Sequence, residues 1–310
     1  MLIGMDVGGT NLRLGVLDAG AVIEEIRVAA NFSEICKTHP AQEAWHKILE
    51  ICADSIKTAL EKYPHVSAIG IGFPGFIDPI TQKIEQSPNF PGLFNIDLSN
   101  DLSALVGLPV IVENDALVAA YGEFYRLNSE KEGAIYSDLI YVSLGTGVGG
   151  GLVLNGRPYS GQHGMSMEIG HMITVPNGRL CGCGNQGCME QYASASGVTI
   201  SYKISTGKVL SAIAIAELAH DGDVHAIDAY EIAGLNLGIA VANILKVLDV
   251  RLVSIGGGMS VSWDLLAPTF QRTLDACLIP LLRGKIKILV SANDDLSGIV
   301  GAALLSADTR

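Results

Sequence analysis

Positive charge is scarce in this sequence: 20 Lys and Arg stand against 32 Asp and Glu, a formal net charge of −12. Nucleic-acid surfaces draw much of their affinity from Lys and Arg set against phosphates, so nucleic acid is not expected as a partner. The opening residues, MLIGMDVGGT, hold no basic segment followed by an apolar run, and no secretory signal is read there. Long apolar runs are missing too. The most apolar stretch, GLNLGIAVANILKVLDVRLVSIGGG, is interrupted by Lys246, Asp249 and Arg251, whereas a membrane span needs about 20 mostly apolar residues. These absences lead to the expectation of a cytoplasmic protein with no membrane partner. Aromatic residues make up only 6% of the chain, so the core is expected to be aliphatic. A length of 310 residues allows one large domain or two ordinary ones, and with no low-complexity linker any boundary must run through compact connections.

What is present reads as alternating strands and helices. Leu2 to Val7 is a strand, followed by a Gly-Gly turn and a second strand in which Leu12, Leu14 and Val16 alternate with other residues. The same grammar returns in LIYVSLGTGVGGGLVLN at 139–155, 137 residues later, which suggests a duplicated domain. SAIGIGFPGFID is a buried strand ending in a Gly/Pro turn, and LPVIVENDALVAAYGEFYRL is a strand running into a helix. Residues 211–247 carry Ala, Leu and Ile at helical spacing, DVRLVSIGGGMS is a strand entering three glycines, and SGIVGAALLSA is a terminal helix. The architecture is α/β.

Three groups of residues carry chemistry. In GMDVGGTN, Gly8 and Gly9 let a backbone approach an anion, and Asp6 can hold a hydrated cation beside it. A plain hairpin turn is the alternative there. Neither a Walker pattern nor a dinucleotide fingerprint fits, because the turn leads into a strand. GTGVGGG offers a second such turn and IGGGM a third, which favours a nucleotide's phosphates. In VENDA, Asp115 at a strand-to-helix junction is either a helix N-cap or a general base held by a rigid strand end. The third group is CGCGNQGCMEQY. Of six cysteines, Cys181, Cys183 and Cys188 fall within eight positions, while Cys36, Cys52 and Cys277 are scattered. No C-x-x-C redox pair is present. Three thiols with His171, ten residues before Cys181, make a Cys3His set that suits tetrahedral zinc better than an iron–sulfur cluster; His163 is a weaker fourth ligand. Such a metal would bring Glu168 and Glu190 together as acceptors for sugar hydroxyls. The glycine turns read as hairpins separate from this loop.

CGCGNQGCMEQYAS, with a Ser four residues after the Glu, closely resembles the signature of the ROK family of sugar kinases and repressors. EIGH, MDVGGTN, LGTGVGGG and ENDA resemble further motifs of that family, in the same order, from residue 4 to about residue 303. The resemblance implies an actin-like (ribonuclease H-like) fold of two duplicated α/β domains around a cleft. We expect residues 1–115 with 297–310 to form the smaller domain and 116–296 the larger, zinc-carrying one. It also implies roles by position. Asp115 looks like the base that deprotonates the sugar's C6 hydroxyl. Asn89, Asn114, Asp115, Glu168, His171 and Glu190 look like sugar contacts. Asp6, Gly8, Gly9, Thr10 and Asn11, with Gly145, Thr146, Gly147, Gly149, Gly150 and Gly257, look like the phosphate cradle; Asn11 stands where many members carry Lys. His171, Cys181, Cys183 and Cys188 look like the ligands of a structural Zn²⁺. ATP and Mg²⁺ are the other implied cofactors, and a homodimer the implied assembly. The family's repressors carry a helix-turn-helix before the sugar domain, whereas here the first phosphate strand begins at Leu2 and its motif is intact. The expectation is therefore an ATP-dependent aldohexose kinase, with glucose or allose first. His163 resembles the allose branch. N-acetylmannosamine, N-acetylglucosamine and fructose are alternatives, and a non-catalytic sugar-sensing regulator is the reading of a different class.

Overall fold

The computed structural model describes residues 1–129, 135–291 and 294–307. The chain forms two compact units, one of residues 1–137, 151–166 and 293–310 and the other of 138–150 and 167–292. In chain order the strands of the first sheet are β1 (Leu2–Val7), β2 (Asn11–Asp18), β3 (Ala21–Ala29), β4 (Ile69–Phe73) and, after three short strands β5 (Phe76–Ile77), β6 (Ile84–Gln86) and β7 (Phe94–Ile96), β8 (Val110–Asn114). Their spatial order is β3-β2-β1-β4-β8. The hairpin partners run antiparallel and β1, β4 and β8 run parallel. A second sheet contains β9 (Leu139–Leu144), β10 (Val148–Leu154), β11 (Arg157–Pro158), β12 (Leu252–Gly256) and β13 (Lys287–Val290). Its order, β11-β10-β9-β12-β13, repeats the first: a glycine-turned hairpin continued by parallel strands. The duplication read from two glycine hairpins therefore extends to whole sheets. The third strand of each was not legible, since β3 alternates weakly and β11 is two residues long.

In the first unit, helices α1 (Phe32–Thr38), α2 (Ala41–Lys62), α3 (Leu98–Val106) and α4 (Asp115–Ser129) surround the sheet, joined by the terminal helix, α10 (Asp294–Ala307). Met5, Leu14, Ile71 and Val112 from the sheet pack with Ile48, Cys52 and Ile56 of α2 in an aliphatic core. Aromatics enter it sparingly. Phe90 is fully buried, 4.6 Å from the Phe73 ring centre and 5.8 Å from that of Phe32, which leaves the neighbouring Asn89 exposed at the surface. Helices α4 and α10 cross in backbone contact. A Cβ at Gly122 would fall 1.9 Å from the Ser297 carbonyl oxygen, and one at Gly301 would fall 1.7 Å from that of Val118. Only glycine permits that approach, which fixes how α4, and Asp115 at its start, lie on the sheet.

In the second unit, α5 (Glu190–Ala193) and α6 (Ala195–Thr206) follow the cysteine loop. The helical stretch read over 211–247 divides at Gly222, φ +91°, into α7 (Ala212–His220) and α8 (Val224–Leu248). Helix α9 (Trp263–Cys277) packs on α8. By length and mean hydropathy (1.5) α8 could cross a membrane. Much of its apolar surface instead goes into the unit's core, where Ala229, Tyr230, Ala233, Leu237, Ala240, Val241 and Leu245 are all buried.

Candidate active site and metal centre

The first unit carries one group of the predicted residues. The Gly8 N–H donates to the Asn11 carbonyl at 2.9 Å, closing the turn between β1 and β2. Behind it, the Thr10 carbonyl accepts from the N–H groups of Ala30 and Asn31, both at 3.0 Å. Asp6, near the end of β1, lies 3.9 Å from the Arg13 guanidinium, which also donates to Glu25 at 3.3 Å. Ser33, which the sequence did not single out, ties two predicted elements together. Its N–H donates to the Gly9 carbonyl at 2.8 Å, and its hydroxyl donates to the Asn89 carbonyl at 2.7 Å.

The sequence offers Asp115 as helix cap or general base; the cap is made instead by its neighbour Asn114. The Asn114 side-chain oxygen accepts from the N–H groups of Ala116 (3.0 Å) and Leu117 (3.1 Å), and its amide donates to the Gly75 carbonyl at 3.1 Å. Asn114 is thus the residue that caps α4 and fastens it to the loop after β4. Asp115 uses one oxygen on the Ala116 N–H at 2.8 Å and is half-buried. Beside them, burial holds the Glu113 carboxyl above its ordinary range, opposed by the Asn114 N–H it accepts at 2.8 Å.

The second unit gathers the other predicted residues. The turn between β9 and β10 closes with the Gly145 N–H on the Gly147 carbonyl at 2.9 Å, and Gly149 and Gly150 continue into β10. Gly257 follows β12 with φ +84°, and Leu144 backbone fills the place a side chain would take. Glu168 and His171 sit on a short 3₁₀ turn, preceded by Met167 at φ +64°. For a methionine that left-handed backbone costs on the order of 1–3 kcal/mol, strain of the kind that functional segments carry. Burial raises the Glu168 carboxyl above its ordinary range, His171 works against this, and Glu190 adds to it.

The cysteine loop closes on itself through backbone bonds from Cys181 N–H to the Asn185 carbonyl (2.9 Å) and from Gly187 N–H to the Arg179 carbonyl (2.8 Å). Gly187, φ +82°, has no room for a side chain: a Cβ would meet the Val175 carbonyl oxygen at 1.7 Å. The loop brings one ligand atom each of His171, Cys181, Cys183 and Cys188 within 4.8 Å of one another. His171 Nδ1 lies 3.7 Å from Cys181 Sγ, and Cys183 Sγ lies 3.6 Å from Cys188 Sγ. Zinc–sulfur bonds of about 2.3 Å at tetrahedral angles place sulfurs about 3.8 Å apart, so these residues fit a closed zinc site. The chemistry agrees with the geometry. Burial and the two neighbouring thiols push the Cys188 thiol up to about 12, a crowding that a bound cation relieves. His163 takes no place in the cluster. His171 Nε2 points the other way, 3.7 Å from a Glu168 oxygen.

Two residues missed in the sequence brace this loop. Arg179 donates to the carbonyls of Gln191 (2.5 Å) and Gly197 (3.2 Å) and to the Ser201 hydroxyl (2.9 Å), with its guanidinium 4.4 Å from the Tyr192 ring centre. The Gln191 amide donates to Cys181 Sγ at 3.7 Å. Nor is the second glycine turn separate from the loop, as the sequence suggested. The Val148 N–H donates to Glu190 Oε2 at 3.0 Å, the Ala195 N–H to the Gly145 carbonyl at 2.9 Å, and the Ser196 hydroxyl to the Thr146 carbonyl at 2.8 Å.

Residues 2–309 match the ROK family model. The chain belongs to the ROK family. It is 32% identical to an N-acetyl-D-glucosamine kinase of Haemophilus influenzae, covering 98% of this chain and 99% of that protein. It is 30% identical to a glucokinase of Halalkalibacterium halodurans, covering 98% and 94% respectively. Among solved structures, a ROK family glucokinase from Streptomyces griseus in complex with glucose and AMPPNP superposes with a TM-score of 0.77 at 30% identity, covering 99% of each chain. The repeated sheets are those of the actin-like ATPase fold that ROK sugar kinases share.

Proposed function

We propose that this ROK protein is an ATP-dependent kinase that phosphorylates an aldohexose, glucose first, at its C6 hydroxyl. The observation that carries the reading is Asp115, a carboxylate on a rigid strand-to-helix junction whose helix is capped by its neighbour Asn114. Asp115 accepts the proton of the attacking hydroxyl. Phosphoryl transfer asks mainly for positioning and charge neutralisation. The turns at Gly8–Asn11 and Gly145–Gly150, with Gly257, position the nucleotide's phosphates. Asp6 would hold Mg²⁺ through its water shell; the ion supplies charge neutralisation at the β and γ phosphates. Asn89, Asn114, Glu168, His171 and Glu190 hold the sugar's hydroxyls. His171, Cys181, Cys183 and Cys188 would hold a structural Zn²⁺ with no ligand position left for water.

The Haemophilus influenzae relative supports a second reading, in which the sugar is N-acetyl-D-glucosamine. One experiment separates them: coupled ADP release with ATP and glucose, allose, N-acetylglucosamine, N-acetylmannosamine or fructose, followed by ³¹P–¹H correlation to locate the phosphate on the product. The reading predicts glucose 6-phosphate at the highest kcat/KM; no turnover with any of the five refutes it. We further place the protein in the cytoplasm as a homodimer, an assembly that light scattering on the purified chain reads directly.

A further inference from the structure

We infer that Glu190 does two things at once, holding the sugar and setting the second glycine turn, which makes it a positioning residue for the nucleotide's phosphates. The inference rests on the proposed function for its sugar and its nucleotide. Its structural basis is separate. Glu190 Oε2 accepts the Val148 N–H at 3.0 Å, across 42 residues of sequence. At Gly147 an added Cβ would come 2.4 Å from that same oxygen, and the three nearest atoms outside the adjoining residues all belong to the Glu190 side chain. The glycine at the tip of the turn therefore leaves space for this one carboxylate. Gly145, two residues earlier, is different: a Cβ there meets nothing closer than the Gly147 carbonyl at 4.0 Å. Two further bonds, from the Ala195 N–H to Gly145 and from the Ser196 hydroxyl to Thr146, bind the rest of the turn to the segment that Glu190 opens.

A carboxylate shared in this way couples the two ligands. A sugar hydroxyl that donates to Glu190 changes the acceptor seen by Val148, and hence the turn; by linkage, a nucleotide that orders the turn changes sugar affinity by the same factor. The same link runs to the metal, because Glu190 follows Cys188 by two residues and starts α5. Sugar, zinc loop and phosphate turn thus meet at one side chain.

The test is calorimetry of glucose and of AMPPNP, each alone, with Gly145→Ala, Gly147→Ala, Glu190→Gln and Glu190→Asp; melting curves and zinc content establish folding. Glu190→Gln keeps an oxygen that reaches the Val148 N–H, while Glu190→Asp is one methylene too short. The expected pattern crosses the two ligands. Gly147→Ala, a change in the phosphate turn, weakens glucose by about tenfold, and Gly145→Ala changes it by less than about twofold. Glu190→Asp weakens AMPPNP about three- to tenfold and Glu190→Gln restores it, although both weaken glucose. If Gly147→Ala fails to fold, the Asp and Gln pair decides alone. Equal AMPPNP affinities in Glu190→Asp and Glu190→Gln, or wild-type glucose affinity in Gly147→Ala, overturn the coupling. Wild-type glucose affinity in Glu190→Gln overturns something else, the assignment of Glu190 to the sugar, and so separates that failure from this one.

Discussion

Replacing Asp115 by Asn removes one property from the site and leaves the rest of its structure nearly intact. The bond that Asp115 accepts from the Ala116 N–H is one an Asn oxygen also accepts. The cap of α4 belongs to Asn114, whose two acceptor contacts and one donor contact are untouched. Stability should therefore move by less than about 0.5 kcal/mol, the range of substitutions that break no cap and open no cavity. Losing a general base costs about 10²–10⁴ in rate. At about 1.4 kcal/mol per decade that is roughly 3–5 kcal/mol of transition-state stabilisation. The assay is coupled ADP release at saturating ATP and glucose, with glucose affinity by calorimetry and a thermal melt on the same preparations. We expect kcat to fall by two to four decades while glucose affinity changes by less than about fivefold. The comparison is Asn114→Ala, which leaves the carboxylate and removes the cap, and should cost about 1 kcal/mol of stability. A kcat for Asp115→Asn within about threefold of wild type refutes the assignment of the base. A large loss of stability would show that Asp115, not Asn114, holds the helix.

Three other outcomes follow from the geometry. Removing the metal by chelation or by Cys183→Ser should abolish glucose binding first, and AMPPNP binding should weaken with it by about three- to tenfold because Glu190 anchors the second turn; less than about half an equivalent of zinc in protein never exposed to chelator would count against the site. Gly9→Val places a branched side chain where even a single added Cβ would come 2.5 Å from the Ser33 hydroxyl, so AMPPNP affinity should drop more than about tenfold and glucose affinity by about threefold through the lost hold on Asn89; Ser33→Ala should reproduce the glucose effect alone, and unchanged glucose affinity there would refute the link. Glu113→Gln concerns pH. The buried Glu113 carboxyl is held above its ordinary range, so below about pH 4 both folded and unfolded chains keep the proton and nothing is lost. As pH rises the unfolded chain ionises first, and the folded state loses stability until Glu113 itself ionises. The Gln variant should accordingly melt higher than wild type at pH 7 and equal to it near about pH 3.5; the reverse order would show that the carboxylate is stabilised where it sits.

Much of the candidate site was legible because it is local. The two glycine turns each join adjacent strands, and alternating residues flanking the first and apolar runs flanking the second mark them without any long-range contact. The thiol cluster lies within eight residues, with its fourth ligand ten residues upstream, so spacing alone suggested a metal. The strand-to-helix junction at Asn114 and Asp115 was visible as a change of period. The cap itself was not, since Asp115 is the candidate the sequence offers; both side chains are cap formers, and only their direction puts Asn114 on the Ala116 and Leu117 N–H groups.

The sequence by itself determined the alternation of elements, the duplicated hairpins and the types of ligand available, since these depend on periodicity and spacing along a few turns of chain. Tertiary structure decided what those pieces do to one another. Ser33 meets Asn89 across 56 residues, Glu190 meets Val148 across 42, and Arg179 reaches Ser201 across 22. Each bond is directional and about 3 Å long, and its partner is set by how sheets and helices pack, which no local pattern encodes. The same holds for Gly147 and Gly122, whose missing side chains record a carboxylate and a neighbouring helix backbone that folding alone brings there.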